Sequence, residues 1–530
     1  MDNSNRLLLN GNEAVAHAAL DAQVHLGTGY PGTPSTEILE TLSAIGGKAQ
    51  WAPNEKVAIE VAIGVAFGNG RALATMKHVG LNVAADPLFT ATHTGVTGAL
   101  VIVVADDPGM ASSQNEQDSR RYAVAAGAPM LEPSDSQEAY DYFLSALEIS
   151  HRWSTPVLLR LTTRICHSKS IVERHDVKPV TGDPYFEHDR PARVMVPAHA
   201  RPAHRRLRKR LLELQAWNES SDLNTILGAD SDLGIIAAGV SVAHALEAAP
   251  GARLFKLAMS YPFPIERMRA FAASVKRCVV IEEGDPVLVD ACRAAGIDVT
   301  GKAEMYRFGE LNVGRVKRIL AGDTSDEFVP PRGKPPQLCP GCPHRTAFDI
   351  LGRHDCIVAG DIGCYTLGVL PPFSAMDTCV CMGAAVGVGL GLRHVLPPVQ
   401  AKKVVSVIGD STFVHGGITG LVEMVYNPPE TGHVLLILDN STTAMTGLQE
   451  HPGTGRTLDH RETGRVVFED LARSLGVPRV SVVDPRKPEE FEKELLDCLE
   501  SGELCVLIAR SPCILAAKLM RKLEKEKAGE

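Results

Sequence analysis

The amino-acid sequence predicts an α/β protein of three doubly wound parallel-sheet domains, on three observations. Short apolar runs alternate with helical stretches along most of the chain, the pattern of parallel strands joined by crossover helices. Some of these runs lead through a glycine or an acidic turn into a helix, as in "DLGIIAAGVSVAHALEAA" and "RCVVIEEGDPVLVDACRAAGI". The length of 530 residues is more than one hydrophobic core usually serves, so several domains are expected.

In chain order, residues 1–175 form the first predicted domain, with strands in "ALVIVVA" and "TPVLLRL". Residues 176–225 change texture: "DPYFEHDRPARVMVPAHARPAHRRLRKRLLELQAW" is Pro-rich, then basic and helical. This reads as a crossing linker ending in a solvated helix, its basic run an exposed face rather than an RNA or lipid contact. Residues 226–322 form a small three-layer α/β domain. The stretch "GDTSDEFVPPRGKPPQ" has linker chemistry and leads into the third domain, 323–530. That domain carries strands in "CIVAGDIG", "KKVVSVIGD", "HVLLILDN" and "ELCVLIARS", and closes on a charged helix, "AAKLMRKLEKEKAGE".

Composition excludes several classes. With 45% hydrophobic and 22% charged residues the chain is ordinary globular protein. A formal net charge of -9 argues against a dedicated nucleic-acid binder. The start, "MDNSNRLLLNGNEAV", lacks the basic opening and apolar core of a signal peptide. The apolar runs "GALVIVVA" and "MGAAVGVGLGL" are too short to span a bilayer. Twelve cysteines without a secretion signal point to a reducing cytoplasm, where metal or catalytic roles outrank disulfides.

The third domain holds the densest chemistry. Gly409-Asp410 ends one apolar strand and Asp439-Asn440 ends the next, with Asn440 thirty positions after Asp410. Two successive parallel strands place both ends on one sheet edge, where open α/β sheets bind ligands. A carboxylate and an amide oxygen there suit Mg²⁺, a hard ion that also takes phosphate oxygens. Gly409 and the "HGG" turn would let backbone approach a diphosphate closely. A pair of polar strand-end caps is the blander alternative; the intervening helix and the two strands favour the cofactor.

The segment "GDSTFVHGGITGL…LDNSTTAMTG" resembles the thiamine diphosphate fingerprint, and in this variant it is similar to the α subunit of indolepyruvate:ferredoxin oxidoreductases. The similarity continues in order through "GYPGTPSTEI", "NEKVAIEVA", "MKHVGLNVAADPL", "DDPGMASSQNEQDSR", "LEPSDSQEA", "LRLTTR" and "CPGCPHR", over nearly the whole chain. The resemblance implies pyrimidine-binding, transketolase C-terminal-like and diphosphate-binding domains, in that order. It implies that Asp410, Asn440 and the carbonyl of Thr442 hold Mg²⁺ on the diphosphate, with Gly409 and Ser411 in the same cofactor loop. Glu55 would be the carboxylate that hydrogen-bonds the aminopyrimidine ring and promotes the imino tautomer, which removes the thiazolium C2 proton. Glu60 competes for that role on the same helix, and a helix-start carboxylate is the bland reading of Glu55. Thr33 in "YPGTP" would meet the substrate carboxylate. His78 and His415 are candidates for proton transfer, or turn caps.

The C-x-x-C of "LCPGCPHR" admits three readings. A zinc ribbon wants a second C-x-x-C, and none follows. Cys379 and Cys381 alternate along a predicted strand, which turns them to opposite faces. A thioredoxin-like motif would open a helix after a strand, whereas this one follows a linker and holds two prolines. A 4Fe–4S cluster needs four thiolates. The resemblance assigns them to Cys339, Cys342, Cys364 and Cys513, and leaves Cys166, Cys278, Cys292, Cys356, Cys498 and Cys505 as buried small hydrophobes.

The resemblance further implies oxidative decarboxylation of an aryl 2-oxoacid such as indolepyruvate to its acyl-coenzyme A, with electrons leaving through the cluster. Partners would be a β subunit, in an α₂β₂ assembly, and ferredoxin or another electron carrier. The two C-x₂-C-x₂-C-x₃-C-P runs of the ferredoxin-like tail common among such proteins are not found after Cys513, so the outward electron route is expected to use a partner. The rival readings are a non-oxidative 2-oxoacid decarboxylase or acyl-transfer enzyme, and a non-catalytic assembly subunit. Intact Asp410, Asn440 and Glu55 weigh against the last.

Overall fold

A computed structural model describes residues 5–328 and 335–517. The chain divides into two compact units, Met1–Phe328 and Val329–Glu530. In the first unit the strands are β1 (Arg6–Asn10), β2 (Leu26–Gly29), β3 (Ala49–Trp51), β4 (Arg71–Lys77), β5 (Ala99–Asp106), β6 (Met130–Leu131), β7 (Val157–Thr162), β8 (Lys169–Glu173), β9 (Thr225–Leu227), β10 (Leu233–Ala238), β11 (Arg253–Leu257), β12 (Met259–Tyr261) and β13 (Arg277–Ile281). A seven-stranded sheet runs β12-β6-β7-β5-β4-β2-β3, parallel except where β12 meets β6. Every residue of β4, β5 and β7 is buried, as expected of parallel strands covered on both faces. A second sheet runs β13-β10-β11-β9, with only β9 antiparallel. Strands β1 and β8 form a separate antiparallel ribbon.

In the second unit, β14 (Ile357–Gly360), β15 (Thr378–Cys379), β16 (Val404–Gly409), β17 (His433–Asp439), β18 (Arg479–Val483) and β19 (Leu504–Arg510) form one all-parallel sheet, ordered β15-β14-β16-β17-β19-β18. One core face packs Phe348, Leu351 and Phe491 against Val405, Leu436 and Leu507. The opposite face packs Phe413, Leu421 and Phe468 against Ile408, Ile437 and Ile508. Burying one such side chain contributes about 1.5–3 kcal/mol, so the strand ends project from a stiff frame.

The α/β, parallel-sheet architecture is the predicted one, with local corrections. The segment expected to be a linker carries a 22-residue helix, Pro197–Asn218, which buries Leu207, Leu211 and Leu214 along one stripe. It is therefore packed on one face, not solvated all round. Strand β12, from the segment assigned to the second domain, pairs with β6 of the first sheet, so the boundary at 226 does not separate the two sheets cleanly. Strand β15 ends at Cys379, and Cys381 lies beyond it, so the two cysteines do not alternate along one strand. Cys356 is half-buried, while Cys166, Cys278, Cys292, Cys498 and Cys505 are buried as expected. Most of the expected terminal helix, residues 518–530, lies outside the described residues. Among the described residues no helix is long and apolar enough to cross a membrane.

Candidate functional site

In the second unit, neighbouring strands β16 and β17 end together at the carboxyl edge of the sheet. Asp410, Ser411 and Thr412 open a helical run that passes through one π turn, Phe413–Gly417, into the helix Ile418–Tyr426. Asp410 Oδ1 accepts the Ser411 N–H at 2.8 Å and Oδ2 accepts the Ser441 N–H at 2.7 Å, which ties the two strand ends to each other. His451 Nε2 stands 3.2 Å from Oδ2, close enough to pair electrostatically though not aligned as a hydrogen bond. The Gly453 N–H donates to His451 Nδ1, which leaves the ring proton on Nε2, facing the carboxylate. Burial alone would raise the Asp410 pKa, but His451 and the two N–H donors outweigh it and hold the carboxyl ionised. Its neighbour Asp439 is pushed upward instead, by burial and by Asp410, against its ion pair with Arg510.

Asn440 and Thr442 are both buried at this edge. Asn440 Oδ1 accepts the Thr442 N–H at 3.2 Å, and the Ser411 hydroxyl accepts a bond from Thr443 at 2.8 Å. At Gly409 a Cβ would fall 2.6 Å from the Tyr365 ring, and at Gly383, where φ is +90°, it would strike Gly416 at 2.6 Å. Both places therefore require glycine for close approach. Asp361, at the end of β14, accepts N–H bonds from Ile362, Gly383 and Ala385 and so anchors the adjacent turn. Burial pushes its pKa up to about 6 against those bonds and against His415, which is buried in the π turn. The donor set fits a Mg²⁺–diphosphate: an ionised carboxylate, an amide oxygen, a backbone carbonyl and glycine-lined loops.

The four singled-out cysteines come together beside this edge, all as free thiols. Cys342 N–H bonds the Cys339 carbonyl at 3.0 Å, and Cys513 N–H bonds the Asn440 carbonyl at 2.9 Å. Burial pushes the Cys364 thiol up to about 11, and Cys342, Cys513 and Cys339 each add to that rise. Cys342 is likewise raised by burial and by Cys339 and Cys513, against the nearby His344 N–H. Cys339 is exposed; the other three are half-buried. No three His, Cys, Asp or Glu among the described residues are grouped tightly enough to hold a single metal ion. Cys342, Cys513 and Cys339 thus each lie within electrostatic reach of Cys364.

In the first unit, Thr33, Glu55 and His78 follow β2, β3 and β4, neighbours in the sheet. Glu55 opens the helix Glu55–Phe67, capped by Asn54, whose side chain accepts the Val57 N–H at 2.9 Å. Its carboxyl is buried over Gly80, where a Cβ would lie 2.6 Å from Oε1. Glu60, by contrast, faces solvent and pairs with Lys56. His78 is fully buried, with Nε2 3.0 Å from the Asn115 carbonyl. Thr33 is half-buried, and the neighbouring Gly32 lies against the Lys77 stem. Lys77 reaches the Ser112 carbonyl at 3.0 Å; burial lowers its pKa, against Asp107 and Glu55.

Sequence reasoning did not single out Lys77, His344, Asp361 or His451. His344 is buried beneath Tyr365, and burial drives its pKa down to about 4. Asp361 alone had a readable signal, as an acidic strand end in "VAGDIG".

Comparison with known proteins bears on both units. A family model described as "Pyruvate flavodoxin/ferredoxin oxidoreductase, thiamine diP-bdg" matches residues 17–218. Another, "Thiamine pyrophosphate enzyme, C-terminal TPP binding domain", matches 361–509. Indolepyruvate oxidoreductase subunit IorA of Archaeoglobus fulgidus is 41% identical, the match covering 98% of this chain and 88% of that one. Its counterpart in Pyrococcus abyssi is 37% identical over 96% and 86%. A solved 2-oxoglutarate:ferredoxin oxidoreductase from Magnetococcus marinus, with 2-oxoglutarate, coenzyme A and succinyl-CoA bound, is similar in fold. Its TM-score is 0.53 at 16% identity, covering 61% of this chain and 66% of that chain.

Proposed function

The chain belongs to the indolepyruvate oxidoreductase subunit IorA family, and we propose that it is the catalytic α subunit of a thiamine diphosphate-dependent 2-oxoacid oxidoreductase. Its reaction is the oxidative decarboxylation of an aryl 2-oxoacid of the indolepyruvate kind to the acyl-coenzyme A. The observation that carries this reading is the pairing of Asp410 with the Asn440–Thr442 turn at the β16–β17 edge, in a chain of this family. Thiamine diphosphate, when bound, supplies a nucleophilic carbon for the 2-oxo group and a sink for the electrons left as CO₂ departs.

Asp410, Asn440 and the Thr442 carbonyl hold Mg²⁺ on the diphosphate, with Gly409 and Ser411 lining its loop. The Glu55 carboxyl keeps a proton in play at the aminopyrimidine ring nitrogen, from a buried position where water competes poorly. The Thr33 hydroxyl meets the substrate carboxylate, and His78 and His415 are the proton-transfer candidates. Cys339, Cys342, Cys364 and Cys513 would ligate one 4Fe–4S cluster, which would supply single-electron transfer. The electrostatic influence of Cys342, Cys513 and Cys339 on Cys364 supports this, although no three such ligands among the described residues are grouped tightly enough for a metal ion. The enzyme is heteromeric: a β subunit completes it, in an α₂β₂ assembly, and ferredoxin or a further subunit carries the electrons away. The cytoplasm is its compartment.

The test is turnover of the anaerobically purified α chain with its β subunit, supplied with Mg²⁺, thiamine diphosphate, coenzyme A and a one-electron dye. Indolepyruvate should give acyl-coenzyme A and two reduced dye equivalents per CO₂, and pyruvate much less. Release of CO₂ together with the aldehyde, without dye reduction, would install the non-oxidative decarboxylase in its place. Iron and sulfide should each be about four per chain. Cys364→Ser should deplete them, whereas Cys278→Ser should not.

A further inference from the structure

The first unit contains a buried ionic network that the reaction does not use. Arg160 on β7 donates to Asp106 and to Glu132, both at 2.6 Å. Arg120 forks onto Asp118 at 2.6 and 2.9 Å and reaches Glu282 at 2.5 Å. Glu283, next to Glu282, accepts the Leu311 N–H through Oε1 at 3.0 Å. All seven charged side chains are buried, so five carboxylates face two guanidinium groups. Lys302, which donates to the Glu282 carbonyl at 2.8 Å, is a further nearby cation, yet burial still raises the Glu282 carboxyl and pushes Glu283 up to about 7.

A cavity of about 10 Å³ lies in this network, lined by Arg120, Glu132, Arg160, Thr162, Ser241 and Glu283, among others. Four of those wall residues each keep one buried oxygen without a hydrogen-bond partner: Glu132 Oε1, Glu283 Oε2, Thr162 Oγ1 and Ser241 Oγ. Glu132 and Thr162 follow or end strands of the seven-stranded sheet, while Ser241 and Glu283 follow strands of the four-stranded one. A buried oxygen without a hydrogen-bond partner is costly, so four around one cavity call for an occupant. The volume admits one water-sized body. A water molecule would satisfy the oxygens but leave Glu283 to shed its buried charge by taking up a proton, which a bound cation would make unnecessary. No group of three His, Cys, Asp or Glu that would hold a divalent ion is present among the described residues.

We propose that this cavity binds a monovalent cation, K⁺ or Na⁺, held by Glu132, Glu283, Thr162 and Ser241, which joins the two sheets of the first unit. The test uses the full chain, exchanged into choline chloride and then titrated with KCl or NaCl at constant ionic strength. Hydrogen exchange at β7 and β10 should slow saturably, with the opening equilibrium falling about tenfold once the salt reaches ten times its Kd. Glu283→Gln should remove that dependence. If that variant does not fold, crystals of the unaltered chain soaked in RbCl should show an anomalous peak between Glu132 and Glu283. Equal protection in choline and in K⁺ or Na⁺, or no peak at that position, would overturn the proposal in favour of water.

Discussion

Asp410 concentrates the argument at the scale of single residues. Its ionised carboxyl receives two N–H bonds and lies beside the His451 ring, so Asp410→Ala should abolish Mg²⁺-dependent thiamine diphosphate binding in calorimetry; undiminished affinity would remove the assignment. Glu55→Gln should keep cofactor affinity but lose turnover, since an amide cannot exchange its proton. Gly80→Ala offers an independent check that leaves the carboxyl chemically intact. The new methyl would collide with Oε1 and displace it, and misplacement by about 1 Å can cost on the order of 100-fold in kcat. Wild-type turnover in that variant would mean that the Glu55 position is not used. Asp410 and Asn440 were legible because strand-end residues at that spacing must share a sheet edge. Glu55 and Glu60 were not separable by sequence, because both sit on one helix; burial distinguishes them. His451 was illegible, since only the folded loop carries it back to Asp410, forty-one residues earlier.

At the scale of elements, strand β17 illustrates how burial sets a pH response. His433 opens it fully buried, with Nε2 2.8 Å from the Ser406 hydroxyl, whose hydrogen goes to the Ala385 carbonyl at 2.7 Å. The ring therefore donates through Nε2 and is neutral, and burial lowers its pKa to about 3. Unfolded, it titrates near 6.5, so between those values only the unfolded chain holds the proton, and stability falls as pH drops below 6.5. The slope is about 1.4 kcal/mol per pH unit. Hydrogen exchange of the β16–β17 amides between pH 6.5 and 5, corrected for intrinsic rates, should give a slope in His433→Gln that is shallower than wild type by about that amount. Long apolar strands such as β5 and β17 were readable because full burial demands uninterrupted hydrophobic runs. Three-residue strands such as β3 and β12 were not, because so few positions carry no periodicity. The stripe Leu207, Leu211, Leu214 was hidden by the basic residues between its members.

At the scale of the whole molecule, the order of synthesis matters as much as the order of strands. Strand β6 has β7 on one side, but its other neighbour, β12, lies 128 residues beyond Leu131 in the chain. At 5–20 residues per second a ribosome takes roughly 6–25 s to supply it. During that interval the growing sheet presents an open edge of unpaired backbone, the feature that invites strand addition from other chains. An expression fragment cut near residue 225, where composition changes, keeps that edge exposed permanently. It should aggregate on concentration, whereas a fragment ending at residue 322 should stay monodisperse in light scattering. Solubility of the shorter piece at equal concentration would show that β12 is dispensable. Chaperone demand during synthesis is thus written into the β6–β12 pair, since the nascent chain must wait for residues 259–261 to shield it.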